Sequence, residues 1–228
     1  MGKPENIPIP AVRRLSLYLR QLEAYYANDR QTISSRQLGE ALNLSDAQVR
    51  KDLAYFGQFG FPGIGYRIPD LIGNVRRILG TDRKANVLLA GLGNLGQALL
   101  AFRGFGKKGF EVVAVVDNDP AKIGREVNGE GGAIGIAPLS AMRTLVRRHD
   151  IRLGMLAVPA TGAQSVANAM VAAGIRGILN FAPIALHVDD KVAVSSVDLA
   201  VQLEQLSFLL GAADVKLNNS RSSSRRSK

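Results

Sequence analysis

Residues 85–119 read ANVLLAGLGNLGQALLAFRGFGKKGFEVVAVVDND, and the order of residue types along them decides the fold of the second part of the chain. An apolar run, Val87 to Ala90, breaks at Gly91, Gly93 and Gly96 and continues into helix-forming Gln97 to Phe102. A second apolar run, Val112 to Val116, follows and is closed by Asp117. Strand, glycine turn, helix, strand and acid in that order predict a dinucleotide-binding βαβ unit. Gly91 permits the tight turn, Gly93 lets backbone approach a pyrophosphate, and Gly96 lets the helix pack closely on the strand. The helix N-terminus then offers N–H groups and the positive end of its dipole to the phosphates. Asp117, 21 residues after Gly96, is placed to accept a hydrogen bond from a ribose 2′-hydroxyl and to repel a 2′-phosphate. NAD(H) rather than NADP(H) is therefore the expected ligand. A glycine motif alone carries little weight among 24 glycines; the flanking elements make this one specific.

At 228 residues and 46% hydrophobic content the chain suits one or two globular domains. No apolar run approaches bilayer length, and MGKPENIPIPAVRR at the N-terminus lacks the basic-then-apolar layout of a secretory leader. No membrane partner is expected, and the cytoplasm is the expected location. The absence of cysteine excludes disulfides, thiolate metal sites and thiol redox chemistry carried by this chain. His149 and His187 lie far apart in sequence, so no metal is expected either. A net charge of +10 points to a polyanionic partner. Its spread, +3 over residues 1–82, +3 over 83–211 and +4 over the last 17, does not by itself single out a nucleic-acid-binding domain.

The pattern of residues does. Val12, Leu15, Leu19, Leu22 and Tyr26 make one stripe on a helix over 11–28, with Arg13, Arg14, Arg20 and Gln21 outside it. Ser34 with Gln37 is a capping-box start for a short helix through Leu38, Ala41 and Leu42. Ser45 with Gln48 repeats that start. The helix it opens is expected to bury Val49, Leu53 and Phe56 and to turn Gln48, Arg50 and Lys51 toward solvent. Two short helices joined by a tight turn, the second presenting basic and amide side chains, predict a helix-turn-helix suited to the major groove. The glycine-punctuated residues 57–66 predict a β-hairpin wing, and hence a winged-helix domain. Asp70 is expected to cap one further helix through Leu71, Val75, Ile78 and Leu79, stopped by Gly80. The domain boundary falls near residue 83.

Beyond Asp117 the alternation continues. Strands are expected at 133–136, 153–158 and 177–180, with helices opened by Pro138 and spanning 163–173. Such alternation makes a parallel, doubly wound sheet whose ligand lies past the carboxyl ends of its strands. Val158, Pro159, Asn180, Phe181, Ala182 and Pro183 fall at those ends and are candidates for the nicotinamide end of the pocket; the prolines are also readable as plain strand stops. Ser195 to Asp198 leads into a last helix with Leu199, Leu203, Leu206, Phe208, Leu209 and Leu210, which either docks on its own sheet or is exchanged with a second subunit. Residues 212–228 are expected to be a disordered basic tail.

The run QVRKDLAYFG at 48–57, the wing glycines through Gly65 and Tyr66, and GLGNLG at 91–96 resemble the Rex family of redox-sensing transcriptional repressors, the likeness extending over residues 8–211. The resemblance implies an α/β protein with an N-terminal winged helix-turn-helix domain (1–82) and a doubly wound Rossmann domain (83–211) whose C-terminal helix is domain-swapped. It implies a homodimer on a palindromic DNA operator, released when NADH binds, with NADH and NAD+ as unreacted effectors and no catalytic residues. Cofactor binding would fall to Gly91, Leu92, Gly93, Asn94, Leu95, Gly96, Asp117 and the strand-end residues named above. DNA contacts would fall to Ser45, Gln48, Arg50, Lys51, Tyr55, Gly60, Gly63 and Gly65. Asp198 would meet Arg20 in one DNA-binding state; a simple helix cap is an equally compatible reading of Asp198. Two departures stand out. Phe61-Pro62 occupies a wing position where many members carry arginine, and Phe102 one where some carry tyrosine. The alternative is an NAD-dependent oxidoreductase with an accessory winged helix, but no Tyr-x-x-x-Lys pair follows residue 84 and neither histidine sits in a recognisable catalytic setting.

Overall fold

Ala11, Leu15, Tyr18, Leu19 and Leu22 fall on one side of a helix. In the computed structural model, which describes residues 7–60 and 64–211, they are the buried face of α1 (Ile9–Tyr26). Pro10 sits in its first turn, where a missing N–H costs nothing. The buried tyrosine is Tyr18, not Tyr26 as the stripe predicted: Tyr26 ends the helix 48% exposed, whereas Tyr18 finds a partner for its hydroxyl inside. The helices α2 (Ser35–Ala41), α3 (Asp46–Ala54) and α4 (Ile68–Leu79) close a core of Leu15, Leu22, Leu38, Val49, Leu53, Leu71 and Val75 against α1. Each such side chain contributes on the order of 1.5–3 kcal/mol by leaving water. Phe56 packs on this core only partly buried. Asp70 does not cap α4: it lies in the first turn, its carboxylate 3.4 Å from Arg67, and Arg67 holds the cap position.

The wing also differs from expectation. The strand β2 (Tyr66–Arg67) pairs antiparallel with β1 (Thr32–Ile33), which precedes α2, rather than with residues 57–60. Gly65, at φ +87°, makes the crossing possible, since a Cβ there would lie 2.5 Å from the carbonyl oxygen of Ile33. Phe61, Pro62 and Gly63 lie outside the described residues, as does the expected tail 212–228.

The chain divides into two compact units, Met1–Lys84 and Ala85–Lys228. The second holds β3 (Ala85–Ala90), β4 (Phe110–Asp117), β5 (Glu126–Gly129), β6 (Gly132–Pro138), β7 (Leu153–Leu156), β8 (Gly177–Asn180) and β9 (Ala193–Ser196) in the order β5-β6-β4-β3-β7-β8-β9. All pairings are parallel except β5 with β6. The six parallel strands thus follow the doubly wound dinucleotide-fold order, reversing direction between β3 and β7. Strand residues alternate between two faces, apart from a register shift between β3 and β4 at Val87/Leu88 that puts Val112 on the opposite face from Ala114 and Val116. Leu88, Ala90, Ala114, Val116, Leu156 and Ile178 pack with α6 (Met142–Arg148) and α7 (Ala160–Ala173), and Val87, Leu89, Val112, Val115 and Met155 form a second core on the other face, against which Leu99 and Leu100 of α5 (Asn94–Ala101) pack. Burial on both faces is why β3 and β4 read as continuous apolar runs.

The edge strands β5 and β9 escaped the sequence reading because they are largely solvent-facing and carry polar residues. β7 stops at Leu156, short of Val158, α7 begins at Ala160, and a 3₁₀ turn (Leu139–Ala141) separates Pro138 from α6. The last helix, α8 (199–211), leaves Leu199, Leu203, Leu206, Phe208, Leu209 and Leu210 exposed. Among the described residues no helix is long and apolar enough to cross a membrane.

Candidate cofactor cleft and nucleic-acid interface

The loop between β3 and α5 carries the glycines. Gly91 adopts φ +93°, and a Cβ on it would lie 2.5 Å from the carbonyl oxygen of Ala157; one on Gly96 would lie 2.0 Å from that of Gly91. The fold itself therefore requires both. Gly93 is different: a Cβ there would meet nothing within 4 Å, which leaves its face open to an approaching ligand. Gly93 is also the N-cap of α5, no side chain caps that helix, and no acid occupies its first turn. Its first N–H groups are thus not taken by a capping side chain and suit an anion. Leu92 buries its side chain, whereas Asn94 and Leu95 are exposed.

Past the ends of β3, β4 and β7, where strand order reverses, lies a cleft of ≈ 400 Å³ lined by Gly91, Gly93, Asp117, Val158 and Pro159 among others. These five candidates, dispersed over 69 residues of sequence, are brought together by the parallel sheet. Asp117, 6% exposed, accepts a hydrogen bond from the Leu92 N–H at 2.7 Å and from the Asp119 N–H at 2.9 Å, and the Lys122 ammonium stands 3.4 Å away. Burial on its own would raise this carboxyl. The two backbone N–H groups and Lys122 outweigh that and hold it below the usual carboxylate range. Asp117 therefore clamps the glycine loop to the end of β4 as an anion.

The sequence reading missed Asn118, Asp119, Lys122 and Thr161, which also line the cleft. The signal for Lys122 lay in Asp119-Pro120: the turn after β4, closed by the Lys122 N–H on the Asp119 carbonyl, brings the lysine back over Asp117. Asn180 to Pro183 do not line this cleft. The Asn180 side chain is fully buried; it donates to the carbonyls of Ala182 and Ile184 and to Ser196 Oγ, and accepts from the Ala182 N–H. It shapes the loop that carries half-buried Phe181, buried Ala182 and exposed Pro183.

In the first unit the Ser34 and Gln37 box is complete: Ser34 Oγ accepts from the Gln37 N–H, and Gln37 Oε1 accepts from the Ser34 N–H. The second box is only half formed. Ser45 Oγ accepts from the Gln48 N–H at 3.1 Å, but the Gln48 side chain turns the other way and donates to Asp52 Oδ1 at 2.8 Å. Asp52, fully buried, also accepts from Arg14 Nη2 at 2.8 Å, from Arg14 Nε, and from the Tyr18 hydroxyl at 2.7 Å. Burial alone would raise the Asp52 carboxyl; the donors Arg14, Tyr18 and Gln48 together hold it below the usual range. Burial and the same carboxylate raise the Tyr18 phenol.

Arg50 is exposed but engaged, donating to Asp46 Oδ2 at 2.7 Å and Ser35 Oγ at 3.1 Å; Lys51 is exposed and Tyr55 half-buried. A second cleft, of ≈ 450 Å³, lies between α3 and the wing and gathers Arg50, Gly60, Gly65 and Tyr66. Ser45, Gln48, Lys51 and Tyr55 lie outside its lining, and Gly63 lies outside the described residues. Arg20 is exposed on α1. Asp198 caps α8, accepting from the N–H groups of Ala200 at 2.9 Å and Val201 at 3.1 Å. Phe102, 58% exposed, meets Phe105 edge-on with ring centres 5.0 Å apart. Among the described residues no cluster of three or more His, Asp or Glu is placed to hold a metal.

Residues 82–184 match the family model described as "CoA binding domain", and residues 6–54 match one described as "Putative DNA-binding protein N-terminus". The redox-sensing transcriptional repressor Rex of Carboxydothermus hydrogenoformans is 46% identical over 203 residues, covering 89% of this chain and 96% of that protein. Its counterpart from Desulfitobacterium hafniense is 42% identical over 209 residues, covering 92% and 98%. The crystal structure of RSP with beta-NAD+ and operator DNA matches with a TM-score of 0.86 at 34% identity, over 94% of this chain and 97% of that one. The structure of RSP with beta-NADH matches at 0.82 and 32%, over 94% and 99%. With such identity sustained across both units, the chain belongs to the Rex family of redox-sensing transcriptional repressors.

Proposed function

We propose that this protein is a cytoplasmic, homodimeric repressor that binds a palindromic DNA operator and releases it when NADH occupies the cleft beside Gly93. The observation that carries the reading is the joining, in one chain, of an open glycine-loop cleft at the sheet's switch point and a helix-turn-helix that exposes Arg50 and Lys51. Relatives with this layout are named redox-sensing repressors, and RSP has been crystallised with beta-NAD+ and operator DNA and with beta-NADH. Residues 1–82 read DNA, and residues 83–211 bind the cofactor and pair the subunits.

In this reading the pyrophosphate lies on residues 91–96, Asp117 with Lys122 faces the adenosine ribose, and Val158, Pro159 and the loop shaped by Asn180 face the nicotinamide. Ser45, Gln48, Arg50, Lys51 and Tyr55 meet the duplex from α3, and Gly60, Gly63 and Gly65 from the wing. The apolar side chains of α8 are covered by a second copy through exchange of that helix, a contact that also offers Asp198 to Arg20. NADH must favour the DNA-released arrangement more than NAD+ does, since a ligand shifts an equilibrium only by its differential affinity. Moving the dimer from mostly bound to mostly released takes about 5 kcal/mol. The neutral reduced ring is better suited than the cationic oxidised ring to apolar surroundings at Phe181 and Pro183.

The test is fluorescence anisotropy of labelled duplex from the gene's own upstream region, at fixed salt, titrated with protein and then with NAD+, NADH or NADPH. Release by NADH at concentrations where NAD+ and NADPH are silent is the expected result. Duplex binding indifferent to NADH would overturn it.

A further inference from the structure

We infer that Asp52 is a positioning residue for base reading: held by Arg14 and Tyr18, it fixes the Gln48 amide so that α3 presents one donor and one acceptor to an adenine edge in the major groove. The inference rests on the DNA-binding reading above. Its basis is a count of hydrogen-bond capacity. Arg14 Nε and the Tyr18 hydroxyl donate to one oxygen of Asp52, and Arg14 Nη2 and Gln48 Nε2 to the other. An ionised carboxylate only accepts, so the amide nitrogen of Gln48, never its carbonyl, must face it. That settles which way round the amide stands. One N–H is committed to Asp52. The other N–H and the carbonyl oxygen, for which no partner is found among the described residues, remain on a half-exposed side chain at the third position of α3.

The first helix of the motif supplies the internal control. Gln37 holds the same position in α2, and its side chain closes its own capping box. Four residues after Gln37 stands Ala41, which offers nothing; four after Gln48 stands Asp52, whose charge makes the stronger acceptor. The carboxylate thus withdraws Gln48 from the cap and holds its amide in one orientation near the N-terminal end of the helix, the end that reaches base edges in a helix-turn-helix. Adenine alone presents an N6–H donor beside an N7 acceptor in that groove, which is the complement of an amide edge. Arg14 and Tyr18 lie on α1 and are tied to the Gln48 amide through Asp52.

The experiment is selection by the full-length protein from duplexes with randomised half-sites, comparing wild type with Gln48→Ala, Asp52→Asn, Tyr18→Phe and the Gln48→Ala/Asp52→Asn double variant. Each is checked for folding by thermal melting and NADH binding. Wild type should enrich adenine at one position per half-site, and replacing that base by 7-deazaadenine, which lacks N7, should weaken binding about ten- to hundredfold. Gln48→Ala and Asp52→Asn should flatten the preference at that position alone, and the double variant should be no flatter than Gln48→Ala. Tyr18→Phe, which removes one hydroxyl, should flatten it partially and decides the matter if Asp52→Asn does not fold. A wild-type preference that survives Gln48→Ala, equal binding of adenine and 7-deazaadenine, or a preference lost in Gln48→Ala but intact in the Asp52 and Tyr18 variants would each overturn the inference. Failure of wild type to enrich any sequence would instead overturn the DNA-binding reading on which it rests.

Discussion

Asp52 and Asp117 are both almost removed from water and both held below the usual carboxylate range, yet they are built from different partners. Asp52 is satisfied by side chains: Arg14 and Tyr18 from α1 and Gln48 from its own helix. Asp117 is satisfied mainly by backbone, the N–H groups of Leu92 and Asp119, with Lys122 at its edge. A carboxylate tied to side chains fixes how helices and a reading group are oriented, and any one partner can be removed by substitution. A carboxylate tied to backbone N–H groups fixes the path of a loop whatever side chains that loop carries. The first suits recognition, where side-chain identity is the information; the second suits a phosphate-binding turn, where backbone shape is.

The sharpest break of the comparison is Asp52→Ala. Removing one member of a buried ion pair costs about 3–5 kcal/mol. Here Arg14 keeps 25% of its side chain exposed and can turn to water, so the expected loss is nearer 2–3 kcal/mol, read from the denaturant midpoint at unchanged slope. A loss below about 0.5 kcal/mol, the level of an ordinary surface change, would mean the network does not hold the unit together. Asp117→Ala should cost less, about 1–3 kcal/mol, because it strands the buried Leu92 N–H without leaving a buried cation. It should also lower selectivity for NADH over NADPH in direct titration; unchanged selectivity would place the ribose away from Asp117.

Acid should reveal both groups. A depressed folded-state pKa means that each carboxylate adds stability above the ordinary carboxylate range, and that this stability is lost as pH falls through the depressed values. The unfolding midpoint of wild type should therefore drop on acidification more steeply than that of Asp52→Asn or Asp117→Asn; parallel curves would show that neither group carries the linkage. The smallest effects belong to the two caps. Ser34→Ala should cost about 1 kcal/mol, and Ser45→Ala less than that, since Gln48 keeps its bond to Asp52 while Gln37 loses its partner box. Equal costs in thermal melts would mean that the diverted glutamine contributes nothing to α3.

Much of this was legible in order and spacing. The two Ser-x-x-Gln helix starts and the stop at Gly80 depend on contacts between residues a few positions apart, and the βαβ unit at 85–119 depends on the order of apolar runs and glycines along one stretch; the backbone follows them. Even the diversion of Gln48 was readable in principle, because Asp52 stands one helical turn away. Edge strands β5 and β9 were not, since their polar residues satisfy a sheet edge rather than a core.

By itself the sequence determined most of the helices and the central strands, the glycine turn between β3 and α5, and that α3 carries basic and amide groups, because each rests on local periodicity, capping or backbone freedom. Only the tertiary structure decided that Tyr18 rather than Tyr26 is buried, that the wing strand returns to Thr32–Ile33, that Lys122 joins Asp117, and that Asn180 shapes a loop instead of lining the cleft. A buried polar atom must find its partner wherever the packed chain brings one, and that search runs across elements that no local pattern connects.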